Sequence, residues 1–221
     1  MLRMKLKRDD GQVSLAVILL SIAIIAAAVG VFIFGEANDA RGRAQKAADA
    51  ASLAAARDVR EKFIPAFALA HTPPPPKVGP AIPANPLFVL APLGEFGRHG
   101  AYQFANKNES QLSSYEANGN RFSANVQSNQ KKVHSPVGSK ARQKISAPGD
   151  AVAKIKTDTV HCHSTNIKRD PKSGIVISWS MVCTGNGHSA RVNYFTALTA
   201  VNDIDSRMDE WRRLFEVRLE K

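Results

Sequence analysis

The chain has 221 residues, 44% of them hydrophobic, and a formal net charge of +11. This length allows one ordinary domain with attachments. Much of the apolar content lies in the first sixty residues, which excludes a large core beyond them. The positive charge favours anionic partners without identifying one, and two cysteines allow one disulfide or half of a metal site.

The first element is an apolar run of 22 uncharged residues, Val13 to Phe34. A helix of this length rises about 33 Å, enough to cross a hydrocarbon core of roughly 30 Å. A secretory signal has a shorter apolar core followed by a small-residue cleavage site. Cleavage inside the run, after Ala26-Ala27-Ala28, is the alternative. We predict a transmembrane helix over residues 13–34, with the lipid bilayer as its surroundings.

The charges on either side of this run predict its orientation. Four basic residues precede it: Arg3, Lys5, Lys7 and Arg8. After it, Glu36 and Asp39 come before the first arginine. The positive-inside rule then places residues 1–12 in the cytoplasm as a basic leader, and the C-terminal part outside the cell membrane.

Residues 35–63 predict an Ala-rich extracytoplasmic helix, because good helix formers dominate and the first proline is Pro65. Alanines recur there at gaps of three and four residues: Ala37, Ala40, Ala44, Ala47, Ala51 and Ala54. The same register continues back through the apolar run: Ala16, Leu19, Ala23, Ala26, Gly30 and Ile33. Such stripes let helix backbones approach closely, so we predict a packing seam for other helices. The alternative is that alanine is common enough here for some register to look regular.

Two motifs flank the apolar run, RDDGQVS before it and RAQKAADAASLAAA after it. Together they resemble the N-terminal segment of TadE/TadG-like Flp pilus-assembly proteins, over residues 8–57. The resemblance implies an envelope-anchored assembly or minor-pilin-like protein without catalytic activity or cofactor. Pilin leaders are cut after glycine, with glutamate five positions later. After Gly11 that position is Ala16, so we expect the leader to be retained.

A proline-rich stretch follows. The sequence from His71 to Gly94 holds eight of the chain's twelve prolines. Proline fixes φ and removes a hydrogen-bond donor, so we predict an extended linker over residues 64–97. Residues 98–221 then form the outer domain, which begins with a short helix over Gly100 to Lys107.

Asn118-Gly119 is a strong two-residue hairpin signal. It predicts a hairpin over residues 111–127, with Tyr115 opposite Phe122 as a cross-strand aromatic pair.

A second hairpin brings the two cysteines together. Alternation after Gly174 places five residues on one face: Ile175, Ile177, Trp179, Met181 and Cys183. A hairpin centred between Lys172 and Ser173 pairs Cys162 with Cys183, at a separation that a disulfide can close.

The alternative to a disulfide is a metal site. Its ligands would be His161, Cys162, His163, Cys183 and His188. Zinc is bound by two cysteines with two histidines in many proteins. However, His161 and His163 point away from Cys162 on a strand. We therefore predict the disulfide and no metal.

A third strand is predicted over Ala190 to Ala200, with Val192, Tyr194, Thr196 and Leu198 on one face. Asn202 or Asp203 then caps a helix. Its apolar stripe would cover the small sheet: Ile204, Met208, Trp211 and Phe215.

Five basic residues form a patch without acids: Lys131, Lys132, Lys140, Arg142 and Lys144. A solvated loop is the simplest interpretation, and contact with an anionic wall polymer is the alternative. The patch has no interleaved aromatic residues for base stacking, which argues against nucleic acid.

We predict an α+β protein consisting of a transmembrane helix, an Ala-rich helix, a linker, and a disulfide-pinned antiparallel domain with a C-terminal helix. No catalytic motif emerges, so the predicted role is assembly with pilin-like helices, including copies of itself. The alternatives are a surface adhesin or wall-binding protein and, more weakly, an exported metal-dependent enzyme.

Overall fold

A computed structural model describes residues 10–70, 85–133, 143–194 and 197–220. The helices are α1 (Asp10–Ala70), α2 (Pro86–Leu90), α3 (Gly97–Lys107), α4 (Ala197–Ser206) and α5 (Met208–Leu214), with a 3-10 helix over Ala91–Phe96. The strands are β1 (Ser110–Asn118), β2 (Arg121–Ser128), β3 (Lys131–Val133), β4 (Gln143–Ile145), β5 (Pro148–Ile155), β6 (His161–Arg169), β7 (Val176–Gly185), β8 (His188–Tyr194) and β9 (Val217–Glu220).

Helix α1 is one continuous element of 61 residues that joins the apolar run to the Ala-rich segment. It also continues through Pro65, where the sequence predicted the linker to begin. Proline removes one helical hydrogen bond, but the residues around it are held by packing. Phe63, Ile64 and Phe67 are 0–1% exposed in the core of the domain.

Four antiparallel strands form the larger sheet, in the order β1-β2-β5-β9. One face of this sheet packs on α1, with β2 and β5 contributing most of the contact. Strand β9 was not predicted. It pairs with β5 from Ile155↔Val217 to Val152↔Glu220 and so joins the C-terminal segment to the sheet.

The β1–β2 hairpin is present, but its turn lies one residue later than predicted, so each cross-strand partner near the turn is shifted by two residues. Asn118 pairs with Arg121, so Tyr115 lies opposite Ala124 and not opposite Phe122. The turn is Gly119-Asn120, with Gly119 at φ 58°. A hairpin turn with positive φ at its first central residue favours glycine there. Tyr115 and Phe122 still share the buried face of the sheet.

Strands β6, β7 and β8 form a second antiparallel sheet. Cys162 pairs with Cys183 in register and forms the predicted disulfide. Three residues of the predicted face are at most 5% exposed: Trp179, Met181 and Cys183. Ile175 and Ile177 are 57% and 56% exposed, because the hairpin projects beyond the core at that end.

The third strand ends at Tyr194, and residues 197–200, predicted as strand, begin helix α4. Thr196 lies outside the described residues. Asp203 accepts hydrogen bonds from the backbone and side-chain nitrogens of Asn193, so it fastens α4 to β8 and does not cap a helix. The predicted apolar stripe is buried at Ile204, Trp211 and Phe215.

Part of the predicted linker is also helical. Asn85 caps α2 by accepting a hydrogen bond from the Leu87 backbone, and Leu90 is fully buried. The remaining proline-rich residues, 71–84, lie outside the described residues. The architecture is therefore α+β as predicted, with α1 at the centre of one core that both larger sheets share.

Candidate functional site

The two halves of α1 have opposite surroundings. Most large apolar side chains between Leu15 and Phe34 are 41% to 74% exposed. From Ala40 onwards the helix is largely buried by the rest of the chain. Within the described residues, α1 is the one helix long and apolar enough to cross a membrane. By length and composition, this helix is a candidate membrane span.

The alanine seam packs inside the protein. Five of its six residues are 0–5% exposed: Ala40, Ala44, Ala47, Ala51 and Ala54. Ala37 is half-buried. The surface that meets the seam belongs to the same chain, whereas the sequence predicted helices from other copies or relatives as its partners. Small side chains are used here to bring α1 close to its own domain.

Three glycines make this close approach possible. A Cβ atom on Gly149 would lie 2.5 Å from the carbonyl group of Ala44. On α3, a Cβ on Gly97 would lie 2.9 Å from the oxygen of Ala55. One on Gly100 would lie 2.2 Å from a carboxylate oxygen of Asp58. The sequence analysis missed these residues. The spacing of Gly97 and Gly100, about one helical turn, was the signal available, but the sequence analysis placed Gly97 in the linker and began the helix at Gly100.

Most residues of the apolar run that continue the spacing of the alanine seam are exposed. Ala16, Ala23 and Ala26 are exposed, and nothing lies within 4 Å of a Cβ built on Gly30. A stripe of small residues in an apolar helix allows close helix–helix contact in lipid. Only the part of the predicted seam that lies inside the apolar run is therefore left exposed by the described residues.

A polar link ties α1 to α5. Arg212 donates hydrogen bonds from Nε and Nη2 to the carboxylate of Glu61 at 2.9–3.2 Å. Arg60 also donates to Glu61, at 3.0 Å. Partial burial by itself raises the pKa of Glu61, but the hydrogen bonds from Arg212 and Arg60 outweigh it and leave that pKa below its usual value. The pair holds the C-terminal helices against the Ala-rich half of α1.

The cysteines and nearby histidines do not form a metal site. The disulfide between Cys162 and Cys183 occupies both sulfurs. His161 and His163 are exposed on the strand beside Cys162. Across the described ranges, no group of three or more His, Cys, Asp or Glu side chains is arranged to hold a metal ion.

The basic patch is only partly a loop. Lys131 and Lys132 lie on β3 and Lys144 on β4, with Lys132 directly opposite Lys144 in the ladder. Lys131 and Lys144 are exposed. Lys140 and Arg142 lie outside the described residues. The structure therefore places three of the five basic residues on a short two-stranded ribbon.

An open cleft between α3 and β1 is lined by Glu95, Arg98, His99 and Tyr102. Arg98 pairs with Glu95 and lies over the ring of Tyr115 at 5.3 Å. Burial raises the pKa of Tyr115, whose hydroxyl donates to the carbonyl of Gly94. The contacts of Glu95, Arg98 and Tyr115 join the 3-10 helix, α3 and β1, which is a structural role.

The comparisons with known proteins concern the N-terminal segment. Residues 11–58 match the family model described as "Putative Flp pilus-assembly TadE/G-like". No curated protein and no solved structure matches the chain. The match begins at Gly11 and ends at Asp58, so it includes the apolar run and most of the buried alanine seam. Residues 11–58, about a fifth of the chain, are therefore similar to the TadE/G-like family, as the flanking motifs predicted.

Proposed function

We propose that the chain is a single-pass, envelope-anchored pilus-assembly protein of the TadE/TadG type. Residues 13–34 cross the membrane, and residues 98–221 with the Ala-rich half of α1 form an extracytoplasmic domain. The observation that carries this proposal is the continuity of α1. One helix exposes an apolar half and supplies the centre of a folded domain with the other half.

Two features support the proposed orientation. The basic residues of the leader precede the apolar run, which favours a cytoplasmic N-terminus. The disulfide between Cys162 and Cys183 is of the kind that persists in oxidising compartments outside the cytoplasm. Both features support an outer domain on the far side of the membrane from the leader.

The proposed mechanism is non-catalytic assembly through helix packing in the membrane. The alanines from Ala40 to Ala54 pack against the chain's own outer domain. Partner helices therefore bind the exposed small residues from Ala16 to Gly30. Those partners are other pilus-assembly or pilin-like helices, or a second copy of this chain. The TadE/G-like description of residues 11–58 supports an assembly role.

Gene deletion in the source cell tests this function. If the chain assists assembly, cells that make Flp pili lose the sheared surface pilus fraction on deletion, and the full chain restores it. The matched control replaces residues 13–34 with an unrelated apolar helix of equal length. This variant still anchors the outer domain but lacks the small-residue register, so it restores little of the fraction. Normal pilus amounts in the deletion strain would contradict the proposal.

A further inference from the structure

The β3–β4 ribbon lies at the membrane end of the outer domain. Ala147, immediately before β5, is buried against Ala40 and Ala44 of α1, and Ile145 of β4 packs on the same group. Ala40 is six residues beyond Phe34, the last residue of the apolar run. At 1.5 Å per residue this is about 9 Å along the helix. Ala40 therefore lies at the level of the polar head groups when residues 13–34 cross the membrane.

The direction of β5 shows which way the ribbon extends. Gly149 lies against Ala44, and Gln45 donates a hydrogen bond to the carbonyl of Asp150. The other end of β5, at Ile155, pairs with β9, which follows the α5 segment bound to Glu61. Strand β5 thus runs along α1 away from the apolar run. Strand β4, which precedes it, lies on the membrane side.

The ribbon is strongly basic at this level. Lys131 and Lys144 are exposed, and neither has an ion pair with a described residue. Lys132 is paired with Lys144 in the ladder, so the short ribbon contains three lysines. On α1, Arg41 and Lys46 are also exposed nearby.

The acidic groups beside the ribbon do not balance this charge. Asp39 is paired with Arg43. Three acidic residues remain beside the ribbon, fewer than the five basic ones: Glu36, Glu109 and Asp150. The surface that faces the membrane plane is therefore positive, as is needed to contact anionic lipid.

We propose that this basic ribbon binds the phosphates of anionic lipid head groups beside the membrane helix, through Lys131 and Lys144. The inference rests on the proposed function, because it requires residues 13–34 to cross the bilayer. Lysines near an anionic membrane surface are attracted to it within a Debye length. A wall polymer is less favoured as the ligand, because the ribbon lies at the end of the domain nearest the bilayer.

Lysine reactivity in lipid nanodiscs tests the proposal. The full chain is inserted into discs of phosphatidylcholine, alone or mixed with phosphatidylglycerol, and acylation of each lysine is followed by mass spectrometry. Lys131 and Lys144 should react about fivefold more slowly in the anionic discs, because each amine must first leave its lipid phosphate. High salt should remove the difference.

Lys168 and Lys172 are the internal controls. Both are exposed in the β6–β7 hairpin. The sheet that contains this hairpin meets α1 at Ala68, through the hydroxyl of Tyr194, far from the apolar run. Their reactivity should be the same in both discs. The variant K131Q/K144Q should lose the extra thermal stability that anionic discs give, whereas K168Q/K172Q should keep it.

The outcomes separate this proposal from the proposed function. Equal reaction rates for Lys131 and Lys144 in both discs, with the chain inserted, would overturn the lipid site alone. So would protection by soluble polyphosphate in neutral discs without protection by anionic lipid, which would assign the ribbon to a polymer. A chain that is not retained by either disc on size-exclusion chromatography would overturn both proposals.

Discussion

Glu61 is the acidic residue through which the Ala-rich half of α1 holds the C-terminal helices. Its carboxylate accepts hydrogen bonds from Arg212 and Arg60. The pKa of Glu61 is lowered although burial opposes this. A lowered pKa in the folded chain means that the charged form contributes stability at neutral pH. That contribution is complete above the unfolded value, near pH 4.3, and is lost as pH falls through the folded value.

Replacement of Glu61 by glutamine should therefore lower the free energy of unfolding at neutral pH by about 1 kcal/mol. The side chains of Glu61 and Arg212 are 33% and 44% exposed, so water screens part of the interaction. E61Q should also lose part of the acid sensitivity of the wild-type chain below about pH 4.5. Urea unfolding followed by fluorescence of the buried Trp179 and Trp211 measures both effects.

The control for this variant is E95Q. Glu95 pairs with Arg98 on the surface, and its side chain is 74% exposed. Its loss should change stability by less than about 0.5 kcal/mol. Equal effects of the two substitutions would show that the α1–α5 link contributes no more than a surface pair.

Single residues also show how far the sequence determines local register. The pairing of Cys162 with Cys183 was predictable, because a symmetric turn around Lys172 and Ser173 leaves one register for both. The pairing of Tyr115 was not. Asn-Gly and Gly-Asn both suit a two-residue turn. The choice of Gly119-Asn120 depends on a distant contact, in which the Asn120 side chain donates to the carbonyl of Ile155.

Among the elements, α1 differs most from its sequence-based interpretation. The heptad-like spacing of its alanines was visible in the sequence, but the surface that covers them was not. That surface is assembled from α3, β2 and β5, which lie far along the chain. Alanine periodicity indicates a close neighbour and says nothing of which chain supplies it. The end of the helix was missed for the same reason, since tertiary packing carries it through Pro65.

Enlarging the buried alanines should prevent the outer domain from folding. Each of A44L, A47L and A51L places a large side chain where the wild type is 0% exposed. Overpacking costs about 1–3 kcal/mol per site. Three sites together cost roughly 3–9 kcal/mol, enough to unfold a domain at the lower end of the typical stability of about 5–15 kcal/mol. Far-UV circular dichroism and tryptophan fluorescence of the purified chain measure the loss.

The matched control enlarges the exposed register inside the apolar run. The triple variant A16L/A23L/A26L changes side chains that are exposed among the described residues, so the outer domain should unfold at the wild-type urea concentration. Capture of pilus-assembly proteins by the full chain should decrease, because the helix can no longer approach its partners closely. A well-folded A44L/A47L/A51L chain would contradict the packing described for α1.

At the scale of the whole molecule, the exposed apolar segment and the centre of the domain core belong to the same helix. A domain joined to its span by a flexible linker can turn freely above the membrane. Here the helix passes from Phe34 into the buried segment without a break. The orientation of the β-sheets is therefore fixed relative to the span, and movement of one part must move the other.

Insertion of Gly-Gly-Ser after Gly35 should leave the outer domain folded but remove its fixed orientation relative to the apolar segment. The outer domain should keep its urea unfolding midpoint, because nothing lies within 4 Å of a Cβ at Gly35. Restoration of pili in the deletion strain should fall, because glycine interrupts the helix and the domain can swivel. The control is the same insertion after Ser173, in an exposed turn. Full restoration by the Gly35 insertion would show that rigid coupling is dispensable.

The contacts of α1 also determine the order in which the protein can fold. Hydrogen bonds join α1 to residues far along the chain. Gln45 is 105 positions from its partner, Ala68 is 126 positions from its partner, and Glu61 is 151 positions from its partner. Such non-local contacts form slowly, whereas a helix forms within about a microsecond. During synthesis the alanine face of α1 is therefore formed long before its own sheet exists. The chain passes through an interval in which that face is bare, and a chaperone or a second α1 could bind there before the domain closes.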